Sequence, residues 1–146
     1  MGLDMYLTAE VYVTEYFNED LYTKLNESHA TRLHGILPKE LSYEVGSWRK
    51  ANAIHAWFVK NVQAGLDNCE KSSVSTEQLC ELKELCEKVV ADLELSEMLL
   101  PAESGFFFGS TAYDEYYLSY IKDTITIVEQ ALLFKSSAEI YYQSSW

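Results

Sequence analysis

The chain has 146 residues, and its 23 aspartates and glutamates against 11 lysines and arginines give a formal net charge of −12 at pH 7. A chain of this length can bury roughly two-thirds of its unfolded surface without disulfides or metals, and a hydrophobic content of 48% is too high for an acidic disordered tail. The negative charge argues against direct binding to nucleic-acid backbones or anionic membranes.

Strand patterns occupy both ends of the chain. Near the N-terminus every second residue is apolar, and this period of two is typical of a strand with one buried face. Residues 140–146 alternate in the same way, and residues 41–45 are a third strand candidate. We expect one small antiparallel sheet that holds the two chain ends close together. The apolar positions of the first strand are Leu3, Met5, Leu7, Ala9, Val11 and Val13.

Two helices are predicted in the first half of the chain. Residues 18–34 begin at Asn18, a residue type favoured at helix N-caps, and two acids follow it. The second helix runs from about residue 48 to residue 64, with Ser47 as its N-cap and Gly65 just beyond its last turn.

Two further helices are predicted in the second half. Ser75 and Gln78 have the spacing of a capping box, and an apolar stripe of helical period follows them. The fourth helix opens at Thr111, three residues before Asp114. No repeat or Pro/Gly-rich linker divides the chain. We therefore predict one α+β domain over residues 1–146, with a small antiparallel sheet packed against about four helices.

Several features bear on the compartment of the protein. The longest apolar runs are only a few residues, so we expect no segment to span a bilayer. The start, MGLDMYLTAE, lacks the basic region and the long apolar stretch of a secretory signal. Three cysteines are too few, and odd in number, for a disulfide framework, which favours a reducing compartment. These features predict a cytoplasmic protein without membrane association.

Charge is unevenly distributed along the chain. Residues 45–64 contain no acid and carry Arg49, Lys50 and Lys60, whereas the segments on both sides of them are net negative. An isolated positive site in a negative field can select a small anion and repel polyanions. We therefore expect the second helix to be the electropositive element at which a ligand binds.

A helical wheel spreads the polar side chains of this segment over several faces. Arg49 shares a face with Lys60, while Asn52 and His55 lie on or beside the apolar face. An unpaired polar group buried there costs roughly 1–3 kcal/mol, so both need hydrogen-bond partners. Either they are satisfied inside the core by backbone groups or the sheet, or they line a polar pocket and bind a ligand. Arg49 and Lys50 likewise either bind a ligand or form solvated salt bridges on the surface.

Residues 104–111 read SGFFFGST and precede the fourth helix. Glycine lets the backbone approach a neighbour closely, and a helix N-terminus presents free N–H groups to an anion. The segment is not a P-loop, because the spacing is short and the lysine is missing. Either the phenylalanines fill the core and Thr111 only caps a helix, or the segment offers a ring for stacking and N–H groups for a phosphate.

Residues for catalysis or metal binding form no recognisable pattern. Cys80 and Cys86 are six residues apart, with no CxxC motif or nearby histidine, which argues against a zinc site. The chain has neither a Ser-His-Asp order nor a GxSxG motif. We predict no catalytic residue, no metal and no cofactor.

Four blocks of the sequence resemble a family of small uncharacterised proteins carried by bacteriophages and prophages: MGLDMYL, VGSWRKANAIHAWFVKNVQAGLDNC, LLPAESGFFFGSTAYDEYY and YYQSSW. The resemblance covers both chain ends and much of the middle, and it is weakest across residues 8–40. It implies an accessory protein made inside a bacterial host cell and brings no settled activity with it. Because the blocks contain the positive segment, the SGFFFGST loop and Trp146, we expect these to surround one site.

The sequence favours a non-catalytic protein that binds a small anionic, nucleotide-type ligand. Such a protein would be similar in kind to phage sponges, which sequester immune signals such as a cyclic ADP-ribose isomer or a cyclic dinucleotide. Arg49 or Lys50 would pair with phosphate, an aromatic ring would stack on a base, and Asn52 and His55 would fix ribose or base edges. The predicted ligand-binding residues are Trp48, Arg49, Lys50, Asn52, His55, Phe106, Phe107, Ser110, Thr111 and Trp146.

Two other functions stay open. The net charge and four glutamates of the third helix suit an acidic inhibitor that mimics nucleic acid, although two lysines interrupt these acids. A small nucleotide- or phosphoester-processing enzyme would use His55 for acid–base chemistry and Arg49 to stabilise charge. The sequence also leaves open whether the chain forms a homo-oligomer or binds a host protein. The four glutamates are Glu77, Glu81, Glu84 and Glu87.

Overall fold

The computed structural model describes residues 2–16, 18–29 and 36–146, and it confirms the predicted α+β class with a four-stranded sheet. The strands are β1 (Asp4–Tyr12), β2 (Glu40–Arg49), β3 (Ser72–Val74) and β4 (Glu139–Ser145). The helices are α1 (Glu19–His29), α2 (Asn52–Asn61), α3 (Thr76–Ala91), the single turn α4 (Ser96–Leu99) and α5 (Glu115–Leu133). Short 3-10 turns cover Leu93–Leu95 and Lys135–Ser137.

Neighbouring strands of the sheet are antiparallel and follow the order β2-β1-β4-β3. β1 pairs with β4 so that Asp4 lies opposite Ser145, which places the two ends of the chain side by side as predicted. β3 was not predicted from the sequence, because a three-residue strand is too short to show a period of two. β3 pairs with the middle of β4, from Ser72 opposite Tyr142 to Val74 opposite Ile140.

One face of β1 is the floor of the core. The six apolar positions from Leu3 to Val13 are at most 7% exposed, which confirms the predicted alternation. The opposite face is more open, and Tyr6 and Thr8 are half-buried there. Glu10 is buried although it belongs to that face, because its carboxylate forms an ion pair with Lys71.

β2 extends beyond the predicted residues 41–45, because its pairing with β1 continues until Arg49 lies opposite Asp4. The register shifts at Leu7, whose partner is Gly46, so that Val45 is the extra residue of a β-bulge. A single extra residue changes which side chains face the core, and this limits what a simple alternation can predict for β2.

Gly46 lets α5 pack closely against β2. A Cβ atom placed on Gly46 would lie 2.5 Å from Ile127 Cγ1 and 2.6 Å from Ile127 Cγ2. Real Cβ atoms do not approach other carbons so closely, so a side chain at position 46 would force the helix or the strand to move. The missing side chain therefore sets the distance between α5 and the sheet.

α2 begins later than predicted. Residues 48–49 belong to β2, Lys50 turns the chain with a positive φ of 56°, and the helix starts at Asn52. The prediction of a helix from residue 48 with Ser47 as its N-cap is wrong, since Ser47 lies inside the strand. The helix also ends at Asn61, before the predicted residue 64.

The starts of α1 and α3 agree with the sequence. α1 has Glu19 and Asp20 in its first turn, and the rest of its predicted extent, residues 30–34, lies outside the described residues. The predicted capping box of α3 is confirmed: Ser75 Oγ accepts from the Gln78 N–H at 3.1 Å, and Gln78 Oε1 accepts from the Ser75 N–H at 2.9 Å.

The start of α5 does not agree with the sequence prediction. Its N-cap is Asp114, whose carboxylate accepts from the Tyr117 N–H at 3.0 Å, so the predicted start at Thr111 is wrong. Asp114 serves this role because a carboxylate both accepts the hydrogen bond and complements the helix dipole. Thr111 belongs to the loop before the helix.

α3 and α5 pack against each other and cover the core. Their buried stripes have the predicted period, and Cys86 lies within the stripe of α3. Burial raises the pKa of the Cys86 thiol to about 12, so the side chain stays neutral and behaves as an apolar core residue. Among the described residues, every helix is too short or too polar to cross a lipid bilayer.

We expect Gly46→Ala to lower the free energy of unfolding by about 1–3 kcal/mol, because the new methyl group overlaps Ile127. Urea denaturation measures this change. Combining it with Ile127→Ala should give a loss smaller than the sum of the two single losses, since the shortened side chain makes room for the methyl group. Additive losses would contradict this account of the β2–α5 contact.

Candidate functional site

One end of the sheet collects the termini of three strands. β1 begins there at Asp4, and its two neighbours end there, with Arg49 of β2 on one side and Ser145 of β4 on the other. Lys50 follows β2 directly, and Trp146 follows β4. Antiparallel pairing therefore brings together predicted site residues that are almost 100 positions apart in the sequence.

The loop of residues 103–111 reaches the same end of the sheet. Leu3 joins the two parts: its N–H donates to the Phe107 carbonyl at 3.1 Å, and its carbonyl accepts from the Lys50 N–H at 2.7 Å. Gly109, with a φ of 85°, lies against the aliphatic stem of Lys50, and a Cβ atom on it would be 3.2 Å from Lys50 Cβ. The predicted grouping of loop and positive segment at one place is thus present in the structure.

Two cations flank Gly2 at this end of the sheet. A Cβ atom placed on Gly2 would lie 3.3 Å from Lys50 Cε and 3.7 Å from Arg49 Nη2. The side chain of Arg49 is 66% exposed, and its Nε lies 3.8 Å from a carboxylate oxygen of Asp4. We call the surface formed by Arg49, Lys50 and residues 109–111 above the buried Gly2 the cationic corner.

The side chain of Asn52 fixes the loop to the first residue of α2. Its Nδ2 donates to the Phe108 carbonyl at 3.1 Å and to the Ser110 carbonyl at 2.8 Å, while its Oδ1 accepts from the Glu103 N–H at 3.1 Å. Asn52 has no exposed surface. The structure thus confirms one of the two alternatives for Asn52: backbone groups inside the protein satisfy the hydrogen bonds of its side chain.

The three phenylalanines of the loop have different environments. Phe106 is 96% exposed, and its ring lies edge-on to that of the half-buried Phe107 at 4.9 Å between centroids. Phe108 points inward and packs edge-on against His55 at 5.1 Å. Phe108 therefore agrees with the core interpretation, whereas the ring of Phe106 projects into solvent. The expectation that the segment presents the N–H groups of a helix N-terminus is wrong, because α5 begins at Glu115. The two following predicted residues, Ser110 and Thr111, are both exposed.

Trp48 lies in the core, contrary to its expected role as a stacking surface. It pairs with Met5 in the sheet, and its indole N–H donates to Thr124 Oγ1 of α5 at 2.9 Å. The residue is buried, because the alternation of β2 turns it inward while the neighbouring Arg49 turns outward. Its indole offers no open face to a ligand.

His55 is buried with both ring nitrogens bonded. Nδ1 lies 2.7 Å from the Tyr142 hydroxyl, and Nε2 lies 2.9 Å from a carboxylate oxygen of Asp67. An ionised carboxylate only accepts, so Nε2 carries a proton, and in the neutral ring Nδ1 accepts from Tyr142. Burial and the charge of Asp67 raise the pKa of Tyr142 well above its usual value, which keeps the phenol protonated for this donation. His55, like Asn52, is therefore satisfied internally.

Trp146 joins the same network from the surface. Its indole N–H donates to the second carboxylate oxygen of Asp67 at 3.0 Å, and 45% of the residue is exposed. The alternation of β4 is confirmed as far as Ser144, which is buried. Trp146 continues that alternation without entering the core, because it lies beyond the last paired residue of β4.

A pocket of about 800 Å³ opens beside α2, and Glu103 and Phe108 of the loop of residues 103–111 border it. Of the ten predicted ligand-binding residues, all of which are described, His55 alone lines this pocket. Its charged lining consists of Lys60 and three acids, so we call it the acidic pocket. The prediction that Lys60 shares a face with Arg49 is wrong, because Arg49 belongs to β2. The three acids are Asp67, Glu81 and Glu103.

Lysines interrupt the acidic face of α3, as the sequence indicated. Lys88 pairs with Glu84 at 2.6 Å, and Lys83 lies 3.1 Å from carboxylate oxygens of both Glu87 and Glu129. Exposed pairs of this kind add little stability, but they divide the negative charge of the helix. In residues 2–16, 18–29 and 36–146, no three His, Cys, Asp or Glu side chains form a group that could hold a metal ion.

Three contacts around α2 do not follow from any pattern in the sequence. Asp67 lies in an irregular loop with no periodic pattern, so nothing in the sequence joins it to His55. The alternation of residues 140–146 predicts a strand at Tyr142, but it does not show that the hydroxyl of this residue meets an imidazole. The Glu103 N–H is a backbone group, and its bond to Asn52 follows only from the tertiary fold.

Comparison of the chain with protein families, with curated proteins and with solved structures gives no match. Functional inference therefore depends on the geometry of the cationic corner, the acidic pocket and the loop that borders both.

We expect Asn52→Ala to lower the free energy of unfolding by about 2–4 kcal/mol, because three backbone groups lose their hydrogen-bond partner. Asn52→Asp should be similarly destabilising, since a carboxylate cannot donate to the Phe108 and Ser110 carbonyls. Thermal and urea denaturation measure both changes.

Asn61→Ala is the matched control for this prediction. Asn61 is exposed, and its amide donates within its own helix to the Trp57 carbonyl at 2.8 Å, so we expect a loss below about 1 kcal/mol. An Asn52→Asp variant as stable as the unmodified protein would contradict the assigned contacts.

Proposed function

We propose that the protein is a non-catalytic binding protein for a small phosphate-bearing ligand of nucleotide type, with the cationic corner as its binding surface. The observation that carries this proposal is the convergence of Arg49 and Lys50 on Gly2 in a chain of net charge −12. Two like charges held close together repel, and a bound anion relieves that repulsion. Among the described residues, Arg49 has one ion-pair partner, Asp4, whose carboxylate oxygen lies 3.8 Å from its Nε.

Each exposed residue of the corner can contribute a distinct contact. The Arg49 guanidinium can bind a phosphate through two parallel hydrogen bonds, and the Lys50 ammonium can act as a point charge beside it. The hydroxyls of Ser110 and Thr111 are exposed on the adjoining loop and can donate to the same anion. The open ring of Phe106 can stack on a base.

Two of the predicted ligand-binding residues, Trp48 and Asn52, are buried and hold the corner in place. Trp48 anchors the end of β2 from which Arg49 projects, and Asn52 holds the loop that carries Ser110. In this proposal, their role is to position the binding groups, and neither one touches the ligand.

The state of His55 supports a binding role over a catalytic one. A general acid or base must reach the proton that it transfers, whereas both nitrogens of His55 are bonded to Tyr142 and Asp67. The imidazole is also buried. Sequestration of the ligand without turnover is consistent with this arrangement.

The resemblance to phage proteins supports a finer proposal about the ligand. A phage accessory protein that binds nucleotides without turnover would suit a sponge for a bacterial immune signal. We therefore propose a cyclic ADP-ribose isomer or a cyclic dinucleotide as the ligand.

The direct test is calorimetry with a panel of cyclic ADP-ribose isomers and cyclic dinucleotides, followed by chromatography of the recovered ligand. We expect stoichiometric binding and an intact ligand. Arg49→Gln and Lys50→Asn should each weaken binding about tenfold, since each removes one charge from the phosphate. Asparagine is chosen at position 50 because it tolerates the positive φ. Phe106→Ser should weaken binding about fivefold or more through lost stacking.

Lys122→Gln provides the matched control, because it removes one exposed charge from α5 at a residue that does not belong to the corner. It should leave the affinity unchanged. Equal affinity of the Arg49→Gln and Lys50→Asn variants with the unmodified protein would contradict the corner as the binding surface. Conversion of the ligand to products would contradict a non-catalytic role.

A further inference from the structure

The acidic pocket owes its space to small side chains on α2. Ala53 and Ala56 are three residues apart, so they share a face of the helix, and both line the pocket. The opposite wall comes from α3 and the segment after it, with Leu85 and Leu99 among its apolar residues. The lining combines apolar and polar groups, and the volume of about 800 Å³ falls within the roughly 300–1,000 Å³ of small-molecule sites.

The charged groups of the pocket are unbalanced. Asp67, Glu81 and Glu103 face a single lysine, Lys60, so the lining carries an excess of two negative charges. Within the described part of the chain, neither Glu81 nor Glu103 forms an ion pair. Glu81 and Glu103 are exposed in this lining, and its excess of negative charge attracts a cation and repels a phosphate.

Asp67 is held in a fixed orientation at the wall of the pocket. Its two oxygens accept one hydrogen bond each, from His55 Nε2 at 2.9 Å and from Trp146 Nε1 at 3.0 Å. A carboxylate has about four acceptor sites, so two remain for a further donor such as an ammonium group. Because two protein donors fix this carboxylate, binding a ligand costs little side-chain entropy there.

The apolar lining contains groups that suit an organic cation. Trp57 and Phe108 line the pocket, and aromatic faces attract ammonium groups. Met98 is 71% exposed at the pocket, and a flexible thioether side chain can adapt to ligands of different shape.

From this combination of volume, apolar groups and excess negative charge, we infer that the acidic pocket is a binding site for an organic ammonium ion that carries an apolar or aromatic body. This site is separate from the cationic corner, because its charge is of the opposite sign and Lys60, its one cation, does not belong to the corner. The inference therefore does not rest on the proposed nucleotide ligand.

Three probes of nearly equal shape and different charge test this inference: 2-phenylethylammonium, 2-phenylethanol and 3-phenylpropanoate. Methionine labelled with ¹³C at the methyl group reports binding through the NMR signal of Met98. We expect the ammonium probe to shift the Met98 signal at millimolar concentration and to bind about tenfold more tightly than the alcohol. The carboxylate should bind more weakly than the alcohol.

Variants locate the binding site of the probe. Glu81→Gln and Glu103→Gln should each weaken binding of the ammonium probe about three- to tenfold, since each removes one negative charge from the lining. Glu84→Gln is the matched control, because it removes the same charge from α3 at a residue that does not line the pocket. Ala56→Trp should abolish binding by filling the space, and the glutamine variants keep the test valid if this variant fails to fold.

Three results would overturn the inference: equal affinity for the ammonium and the alcohol, tighter binding of the carboxylate, or no shift of the Met98 signal with any probe. A parallel titration with the nucleotides distinguishes failure of this inference from failure of the proposed function. Glu81→Gln should leave nucleotide affinity unchanged, and Arg49→Gln should leave affinity for the ammonium probe unchanged.

Discussion

The hydrogen bonds of the Asn52 side chain organise the end of the protein that holds the candidate site. One buried amide satisfies the Glu103 N–H and the Phe108 and Ser110 carbonyls, so a loop without regular structure acquires fixed ends at the start of α2. The Leu3 N–H adds a further bond to the Phe107 carbonyl, and in the loop so held Phe108 packs against His55 while Gly109 lies on the stem of Lys50. Without these bonds, three polar backbone groups would have to find other partners or remain unpaired.

The attached loop borders two surfaces of opposite charge. On one of them Arg49 and Lys50 converge on Gly2, and on the other three carboxylates line the acidic pocket beside α2. The net charge of −12 is therefore a poor description of what the molecule can bind, because a ligand experiences the local charge of each surface. The buried chain of contacts from Tyr142 through His55 to Asp67 lies between core and pocket and fixes the orientation of one of those carboxylates.

The sequence predicted the features that depend on local patterns. Period-two alternation predicted β1 and β4 and their proximity, and the capping box located the start of α3. The predicted start of α2 is wrong, because Trp48 and Arg49 continue the pairing of β2. Only the register of β2 with β1 shows that these residues belong to the strand. The same error placed Arg49 beside Lys60. The need of Asn52 and His55 for partners could be predicted, but the partners themselves come from distant loops and strands, whose positions no local pattern encodes.

Amide hydrogen exchange of Glu103 tests most directly whether Asn52 holds the loop. The side chain of Glu103 is exposed, yet its N–H donates to Asn52 Oδ1 at 3.1 Å. We therefore predict that this amide exchanges far more slowly than the amides of residues 104–105, with a protection that approaches that of the core of α2. Exchange of the Glu103 amide as fast as that of residues 104–105 would contradict the account.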